Sequence, residues 1–491
     1  MLSKIPGTGA RLCAPSENRP DPLYSLANLE DRPLTTRVIL VRHGESTYNV
    51  QRRVQGRLDA STLTDLGRVM ARQVGAALHG LPIDAVYASP LRRAKSTMEL
   101  LLETWSSDDA TAPPITITPD LMEVNLFEWE GMDFREIKTQ FPEAYETWQK
   151  RPHDLEMTMG TPEGDISFYP IRDLYEQAKR FWHDMLPSHP NQTVLVVGHS
   201  AINRALVQTA IGLQPPHLPQ LRLSNCGISV VNFAGTLGSL AQIESFNLVE
   251  HTGDPLPDVR GGHLGPRILL VRHGETDWNR DKQFQGQIDV PLNDNGRSQG
   301  ERCAEFLKGI HIDQAVSSPM ARPKETAELI LKHHLGVQLS LDDNLKEISH
   351  GLWEGKFEQD IEAEFPGELQ RWKDNPEAVQ MPEGENLNQV WDRARLAWQA
   401  ILDSAVTPVD GEDLGHPQTI LVVAHDAVNK ALLCQLVGLG PEYFWTFKQG
   451  NGAVSVIDYP HGTSGLPLIQ SLNITSFISG GVLDKTAAGA L

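Results

Sequence analysis

R-V-I-L-V-R-H-G-E-S-T-Y-N, from Arg37 to Asn49, recurs as R-I-L-L-V-R-H-G-E-T-D-W-N, from Arg267 to Asn279. Four further segments return in the same order. I-D-A-V-Y-A-S-P-L-R-R-A (Ile83 to Ala94) matches I-D-Q-A-V-S-S-P-M-A-R-P (Ile312 to Pro323). L-M-E-V-N-L-F-E-W-E-G (Leu121 to Gly131) matches L-K-E-I-S-H-G-L-W-E-G (Leu345 to Gly355). T-V-L-V-V-G-H-S-A-I-N-R-A-L, from Thr193, matches T-I-L-V-V-A-H-D-A-V-N-K-A-L, from Thr419, and even the tails agree, S-F-N-L after Glu244 and S-L-N-I after Gln470. An offset of about 230 residues is far too long for a solenoid, so the repeat is a duplicated domain.

Within each copy, short apolar runs such as Val38 to Val41 and Val194 to Val197 read as strands buried on both faces. Helical periodicity follows them, in Leu66 to Leu78 and Ala201 to Ile211. This alternation predicts an α/β chain: two tandem three-layer α/β/α domains, each around a mostly parallel central sheet. The expected division is an N-terminal extension at 1–36, a first domain at 37–252, a Gly- and Pro-rich linker at 253–265, a second domain at 266–480 and a tail at 481–491. Ligands of such sheets bind beyond the carboxyl ends of the strands. Arg42, His43 and His199 end the runs of one copy, and Arg272, His273 and His425 those of the other.

Composition limits what these residues serve. The chain of 491 residues carries a formal net charge of −20, which argues against nonspecific nucleic-acid binding or attachment to an anionic membrane. An anionic substrate must then be drawn in by local positive charge. Cys13, Cys226, Cys303 and Cys434 form no paired spacing, so neither a disulfide framework nor a zinc site is expected. No apolar run reaches the roughly 18 residues that span a bilayer. The first thirty-odd residues lack the apolar core of a secretion signal. Cytoplasm is the expected compartment, or the plastid stroma in a photosynthetic eukaryote.

Paired histidines raise the question of metal, but no Cys cluster and no H-E-x-x-H accompany them. Arginines stand beside them instead: Arg42 and Arg93 in copy one, Arg272 and Arg322 in copy two. Guanidinium forks suit phosphoryl oxygens. A neutral imidazole held in line with phosphorus can attack it, while the arginines disperse charge on the equatorial oxygens. An acid must protonate the leaving alkoxide, and Glu123 and Glu347 are the candidates, with Glu128, Glu130 and Glu354 close by in sequence. No metal or organic cofactor is expected.

These segments resemble the histidine phosphatase superfamily, also called phosphoglycerate-mutase-like. Its R-H-G-E followed by S/T-x-Y/W-N is present at Arg42 to Asn49 and Arg272 to Asn279, and a Q-G-x-x-D segment at Gln55 to Asp59 and Gln285 to Asp289. S-P-x-x-R falls on Arg93 and Arg322. The resemblance implies a fold of that type and His43 and His273 as nucleophiles, joined by Glu123, His199, Glu347 and His425 in catalysis. It implies phosphate binding by Arg42, Asn49, Gln55, Gly56 and Arg93, and by Arg272, Asn279, Gln285, Gly286 and Arg322. Asn49 and Asn279 read equally well as turn or cap residues. Within the family, the tandem arrangement, Q-G-R-L-D-A-S-T-L-T and Phe168 to Ala178 are similar to the 2-carboxy-D-arabinitol-1-phosphate phosphatase group. The implied activity is metal-independent hydrolysis of small, anionic sugar-phosphate esters through a phosphohistidine. The alternatives are a phosphoglycerate mutase, or one active domain with the other a binding or scaffolding module. The short interval between the two histidines of each copy leaves little chain for a water-excluding lid and favours hydrolysis. The oligomeric state stays open.

The copies differ. Copy one carries an extra residue before Leu63, Leu126-Phe127 in place of His350-Gly351, and Gly164-Asp165 in place of Gly384-Glu385. It also gathers Arg52, Arg53 and Arg57 around its Q-G segment, where copy two has Arg280 and Lys282 against Asp281. A basic face on the surface is the plainer account of those arginines; a second anionic group on the substrate would be the functional one, with Arg57 as its expected contact.

Overall fold

The computed structural model describes residues 36–105, 112–162, 164–259, 261–405 and 416–483. Nearly all of the expected N-terminal extension, Cys13 and the last part of the tail lie outside the described residues.

The buried runs are strands, and each copy builds the same six-stranded arrangement. In copy one, β1 (Thr36–Arg42), β2 (Ala85–Ala88) and β3 (Ile115–Ile117) precede a small hairpin of β4 (Met157–Thr161) and β5 (Gly164–Phe168). Then come β6 (Thr193–Gly198), β7 (Ile228–Phe233) and β8 (Ala241–Leu248). Copy two contributes β9 (Arg267–Arg272), β10 (Gln314–Ser317), β11 (Leu339–Leu341), β12 (Thr419–Ala424), β13 (Val454–Asp458) and β14 (Leu468–Ile474). β1, β6, β2 and β3 run parallel, while β7 and β8 return antiparallel. β9, β12, β10 and β11 repeat the parallel set, with β13 and β14 antiparallel. The expectation of mostly parallel sheets therefore holds in each copy. Gly164-Asp165 begins the second strand of the β4–β5 hairpin, whereas the corresponding stretch of copy two makes only an isolated bridge between Gln380 and Asn386.

The two sheets are one. β8 and β14 pair antiparallel, with Leu472 opposite Phe246, so a single 12-stranded sheet runs through the molecule in the order β11-β10-β12-β9-β13-β14-β8-β7-β1-β6-β2-β3. Alternation along the strands then sends side chains to two cores that both cross the seam. Val38 and Leu40 share one with Ile268 and Leu270, beneath helices such as Pro170–Met185 and Ser200–Ala210. Ile39 and Val41 share the other with Leu269 and Val271, beneath helices such as Arg92–Trp105 and Ala321–Leu331.

The repeated S-F-N-L and S-L-N-I tails close this seam. Asn247 and Asn473 both take left-handed backbone (φ 51° and 57°), which Asn tolerates better than other side chains. The Asn247 Nδ2 donates across the seam to the Gln470 carbonyl at 2.6 Å, and the Asn473 Nδ2 to the Glu244 carbonyl at 2.7 Å. Their Oδ1 atoms accept the backbone N–H of Ser224 and of Gly450 in their own copies.

Candidate active site

Parallel neighbours in a sheet end at the same rim, and that is why residues far apart in sequence meet here. β1 and β6 are in register from Arg37↔Thr193 to Arg42↔Gly198, so His43 and His199 follow side by side. Their rings lie 5.2 Å apart, edge to face; those of His273 and His425 are 5.1 Å apart. All four are buried. His199 and His425 cap the helices Ser200–Ala210 and Asp426–Leu436.

The Nδ1–H of His43 donates to the Gly44 carbonyl at 2.7 Å, and that of His273 to the Gly274 carbonyl at 2.6 Å. A carbonyl only accepts, so Nδ1 carries the proton and Nε2 keeps its lone pair. Burial, with Arg93 and Arg42 adding, holds His43 well below the usual imidazole range; burial, Arg322 and Arg272 do the same to His273. Both rings are neutral at neutral pH. Arg93 donates from Nε to the His199 Nδ1 at 3.2 Å, whereas Arg322 donates from Nε to the His273 Nε2 at 3.3 Å. The same guanidinium thus stands between two imidazoles in each copy and leans to opposite sides. The Nε2 of His199 meets the Ser89 hydroxyl at 2.7 Å, and that of His425 the Ser318 hydroxyl at 2.9 Å.

The Q-G turn positions these arginines through its backbone. Arg93 donates to the carbonyls of Gly56 (2.8 Å) and Leu58 (3.2 Å), and Arg322 to those of Gly286 (2.7 Å) and Ile288 (3.1 Å). Gly56 and Gly286 have φ of +48° and +53°, and a Cβ there would collide with Glu130 or Glu354. Those two glutamates accept backbone N–H groups of the turn, so they hold the loop. Glu123 and Glu347 sit elsewhere: each takes N–H groups at the first turn of the helix behind the second histidine, from Ala201 and Ile202 and from Asp426 and Ala427. Burial first, then Asp426, pushes the Glu347 carboxyl up.

Arg42 and Arg272 are anchored by carbonyls, of Leu223 and Gln449, both at 2.6 Å. Burial pushes the Arg42 guanidinium down to about 10, against the pull of Glu123, so it stays charged. The Oδ1 atoms of Asn49 and Asn279 are spent on capping, accepting from Ser46 and from Thr276, so these residues shape the turn first. Gln55 and Gln285 accept from the same hydroxyls, and the buried Gln285 Nε2 has no partner among the described residues. Arg57, the anion contact that its sequence neighbourhood suggested, turns inward and donates to the Glu123 carbonyl (3.1 Å) and the Gln177 Oε1 (2.8 Å). In copy two Gln287 stands in its place, and Arg393, from the helix that carries Gln177 in copy one, supplies the guanidinium to the Glu347 carbonyl at 2.9 Å.

Each pocket thus offers one tautomer-fixed imidazole, a second imidazole, two arginines and a carboxyl group. A profile of the Histidine phosphatase superfamily (branch 1) matches the chain twice, over residues 38–245 and 268–473. The chain belongs to the histidine phosphatase superfamily. It is 29% identical to the 2-carboxy-D-arabinitol-1-phosphatase of Triticum aestivum, in an alignment covering 94% of this chain and 89% of that protein. Phosphoserine phosphatase 1 of Hydrogenobacter thermophilus is 30% identical over 209 residues, 43% of this chain and 92% of that protein. Among solved structures, a mycobacterial glucosyl-3-phosphoglycerate phosphatase is 26% identical, covering 43% of this chain and 99% of that one with a TM-score of 0.39. This histidine phosphatase is a phosphoric monoester hydrolase, and no helix among its described residues is long and apolar enough to cross a membrane.

Sequence reasoning passed over three residues of this histidine phosphatase site. Thr97 and Thr326 accept the N–H of Gly44 and Gly274. Asn225 donates to the His43 carbonyl (3.0 Å) and to Asn49, and Asn451 does the same for His273 and Asn279. Ser89 and Ser318 orient the second histidines. The signal was present, since all three stand at matching places in the two copies.

Burial of neutral imidazoles has a consequence for stability. Above about pH 6.5 His is neutral both folded and unfolded. Below it the unfolded chain takes up protons that the buried rings refuse, so stability falls with pH by up to about 1.4 kcal/mol per unit for each ring. His43, His199, His273 and His425 all have lowered values, as do His350 (about 3) and His251 (about 4). Scanning calorimetry from pH 7.5 to 5 is expected to show a steadily falling Tm, with a shallower fall in His350→Gln. A flat profile would contradict neutral burial.

Proposed function

We propose that each pocket hydrolyses small sugar-phosphate esters through a phosphohistidine at Nε2 of His43 or His273. The observation that carries this reading is the fixed tautomer: Nδ1–H is held by a carbonyl in both copies, which leaves Nε2 its lone pair, and in copy two that atom meets the Arg322 guanidinium. Nε2 attacks phosphorus, the ester P–O bond breaks, and Glu123 or Glu347 gives the departing alkoxide its proton. Water then attacks phosphorus, the P–N bond breaks and returns its electron pair to Nε2, the same carboxylate takes a water proton, and orthophosphate leaves. Arg42 with Arg93, and Arg272 with Arg322, would hold the equatorial oxygens.

The relative from Triticum aestivum, matched across both copies, supports a phosphorylated sugar acid such as 2-carboxy-D-arabinitol 1-phosphate as substrate. The test is product analysis: phosphate release from 2-carboxy-D-arabinitol 1-phosphate, and phosphate rather than 2-phosphoglycerate from 3-phosphoglycerate. Formation of 2-phosphoglycerate would make the protein a mutase.

The acid has its own signature. Glu123→Gln and Glu347→Gln, each assayed with the other domain's nucleophile removed, are expected to slow alkyl phosphates by about 100-fold or more. p-Nitrophenyl phosphate, whose leaving group needs no proton, should suffer far less. Equal losses on both esters would assign these glutamates to binding instead.

A further inference from the structure

At the other end of the domain-two sheet, away from the pocket, two histidines and an aspartate come together. β10 and β12 are parallel neighbours, so the residues leading into them meet at one end, as those following them meet at the other. His311 and Asp313 lead into β10, and His416 leads into β12. One nitrogen of each ring and one carboxylate oxygen lie within 4.8 Å of one another. β12 runs between this cluster and His425, a separation of roughly 20 Å at about 3.3 Å per residue.

The aspartate has a structural duty that copy one repeats. Asp313 accepts the Thr419 N–H through Oδ2 at 2.7 Å, and Asp84 accepts the Thr193 N–H through Oδ2 at 2.7 Å. Copy one has Pro82 and Pro190 where copy two has His311 and His416, so this strand entry needs neither imidazole. A surface hydrogen bond accounts for His311 with Asp313, Nε2 to Oδ1 at 3.1 Å. It does not account for His416, whose ring centroid lies 4.3 Å from that of His311. Both rings are exposed, so burial does not drive them together.

A metal ion accounts for all three. Arms of about 2.1 Å at a tetrahedral angle set neighbouring ligand atoms about 3.4 Å apart, close to the spacing of the His311 Nε2 and the Asp313 Oδ1. Two of the donors are oriented from behind. The Thr419 N–H holds the second oxygen of Asp313, and the Nδ1–H of His416 donates to the Pro417 carbonyl at 3.1 Å, which leaves the lone pair on Nε2. Two imidazoles and a carboxylate suit Zn²⁺, Ni²⁺ or Cu²⁺, whereas Mg²⁺ and Ca²⁺ favour all-oxygen shells.

We propose that His311, Asp313 and His416 form a binding site for a divalent transition-metal ion such as Zn²⁺. The ion clips the chain entering β12 to the turn entering β10. Binding moves the His311 ring proton from Nε2 to Nδ1, and water completes the coordination. At this distance from His273 and His425 the ion takes no part in phosphoryl transfer, and the site stands independently of the phosphatase reading.

The full chain, stripped with a chelator and dialysed, is titrated with ZnCl₂ by calorimetry. One ion per chain is expected at this site, with affinity down about tenfold or more in His311→Ala, His416→Ala or Asp313→Asn, and that binding gone when both histidines are replaced. Asp313→Asn keeps an acceptor for the Thr419 N–H, so affinity lost there reports coordination rather than a broken strand entry. Cu²⁺ gives a second reading. Electron paramagnetic resonance should show nitrogen splitting from two imidazoles in the wild type and from one in either single histidine variant. No Zn²⁺ uptake by the wild type, the same uptake by the double histidine variant, or a Cu²⁺ spectrum unmoved by either histidine substitution overturns the site.

Discussion

Joint replacement of His43 and His273 by Ala is expected to abolish phosphate release, with kcat down about 10,000-fold or more, worth roughly 5.4 kcal/mol of transition-state stabilisation. Each proposed nucleophile is buried and its tautomer fixed by a neighbouring carbonyl, and water lacks both that positioning and that nucleophilicity. The single variants separate the domains: His43→Ala should remove turnover of the substrates that domain one prefers and spare the rest, and His273→Ala the converse. Labelled substrate quenched in alkaline detergent, where the P–N bond survives, should leave radiolabel on the wild-type chain, on either single variant, and not on the double variant. If the double variant keeps turning over, covalent catalysis at these histidines is the wrong mechanism.

The other large effect is expected at the seam. Replacing Asn247 with Ala removes a donor to the Gln470 carbonyl, buried in the middle of the sheet, and an acceptor for the part-buried Ser224 N–H in the loop before β7. Each abandoned partner costs about 1–3 kcal/mol, and a left-handed Ala adds about 1–2 kcal/mol. The sum, about 3–8 kcal/mol, is a large share of the roughly 5–15 kcal/mol that holds a domain folded. Urea unfolding should show a lower midpoint for Asn247→Ala and for Asn473→Ala. The wild type is expected to unfold in one transition because both cores cross the seam, and the double variant in two. Asn247→Gly, which restores the backbone freedom but not the amide, should recover only the smaller part. Midpoints unchanged in all three would mean that the seam contributes little. Activity should follow, since Ser224 adjoins Asn225, which holds the His43 carbonyl.

Sequence alone determined the duplication, the parallel α/β sheets and which histidines and arginines stand at the rim of each copy. Those features are local: a buried strand writes itself as an apolar run, and a residue at its end must lie at the rim. That Glu130 and Glu354 hold the Q-G turn, and that Arg57 turns inward, could not be read that way. Each depends on where a loop folds back: Glu130 turns to the Q-G backbone, and Arg57 is drawn inward by the Glu123 carbonyl and Gln177. The compensating exchange of Arg57–Gln177 for Gln287–Arg393 is invisible until the two elements are seen in contact. Above all, only the tertiary structure joined the two sheets into one. The S-F-N-L and S-L-N-I repeats show that each copy ends its sheet alike, yet edge pairing is made by backbone groups that every residue carries. Two left-handed asparagines, reaching across to each other's strands, decide that these edges meet.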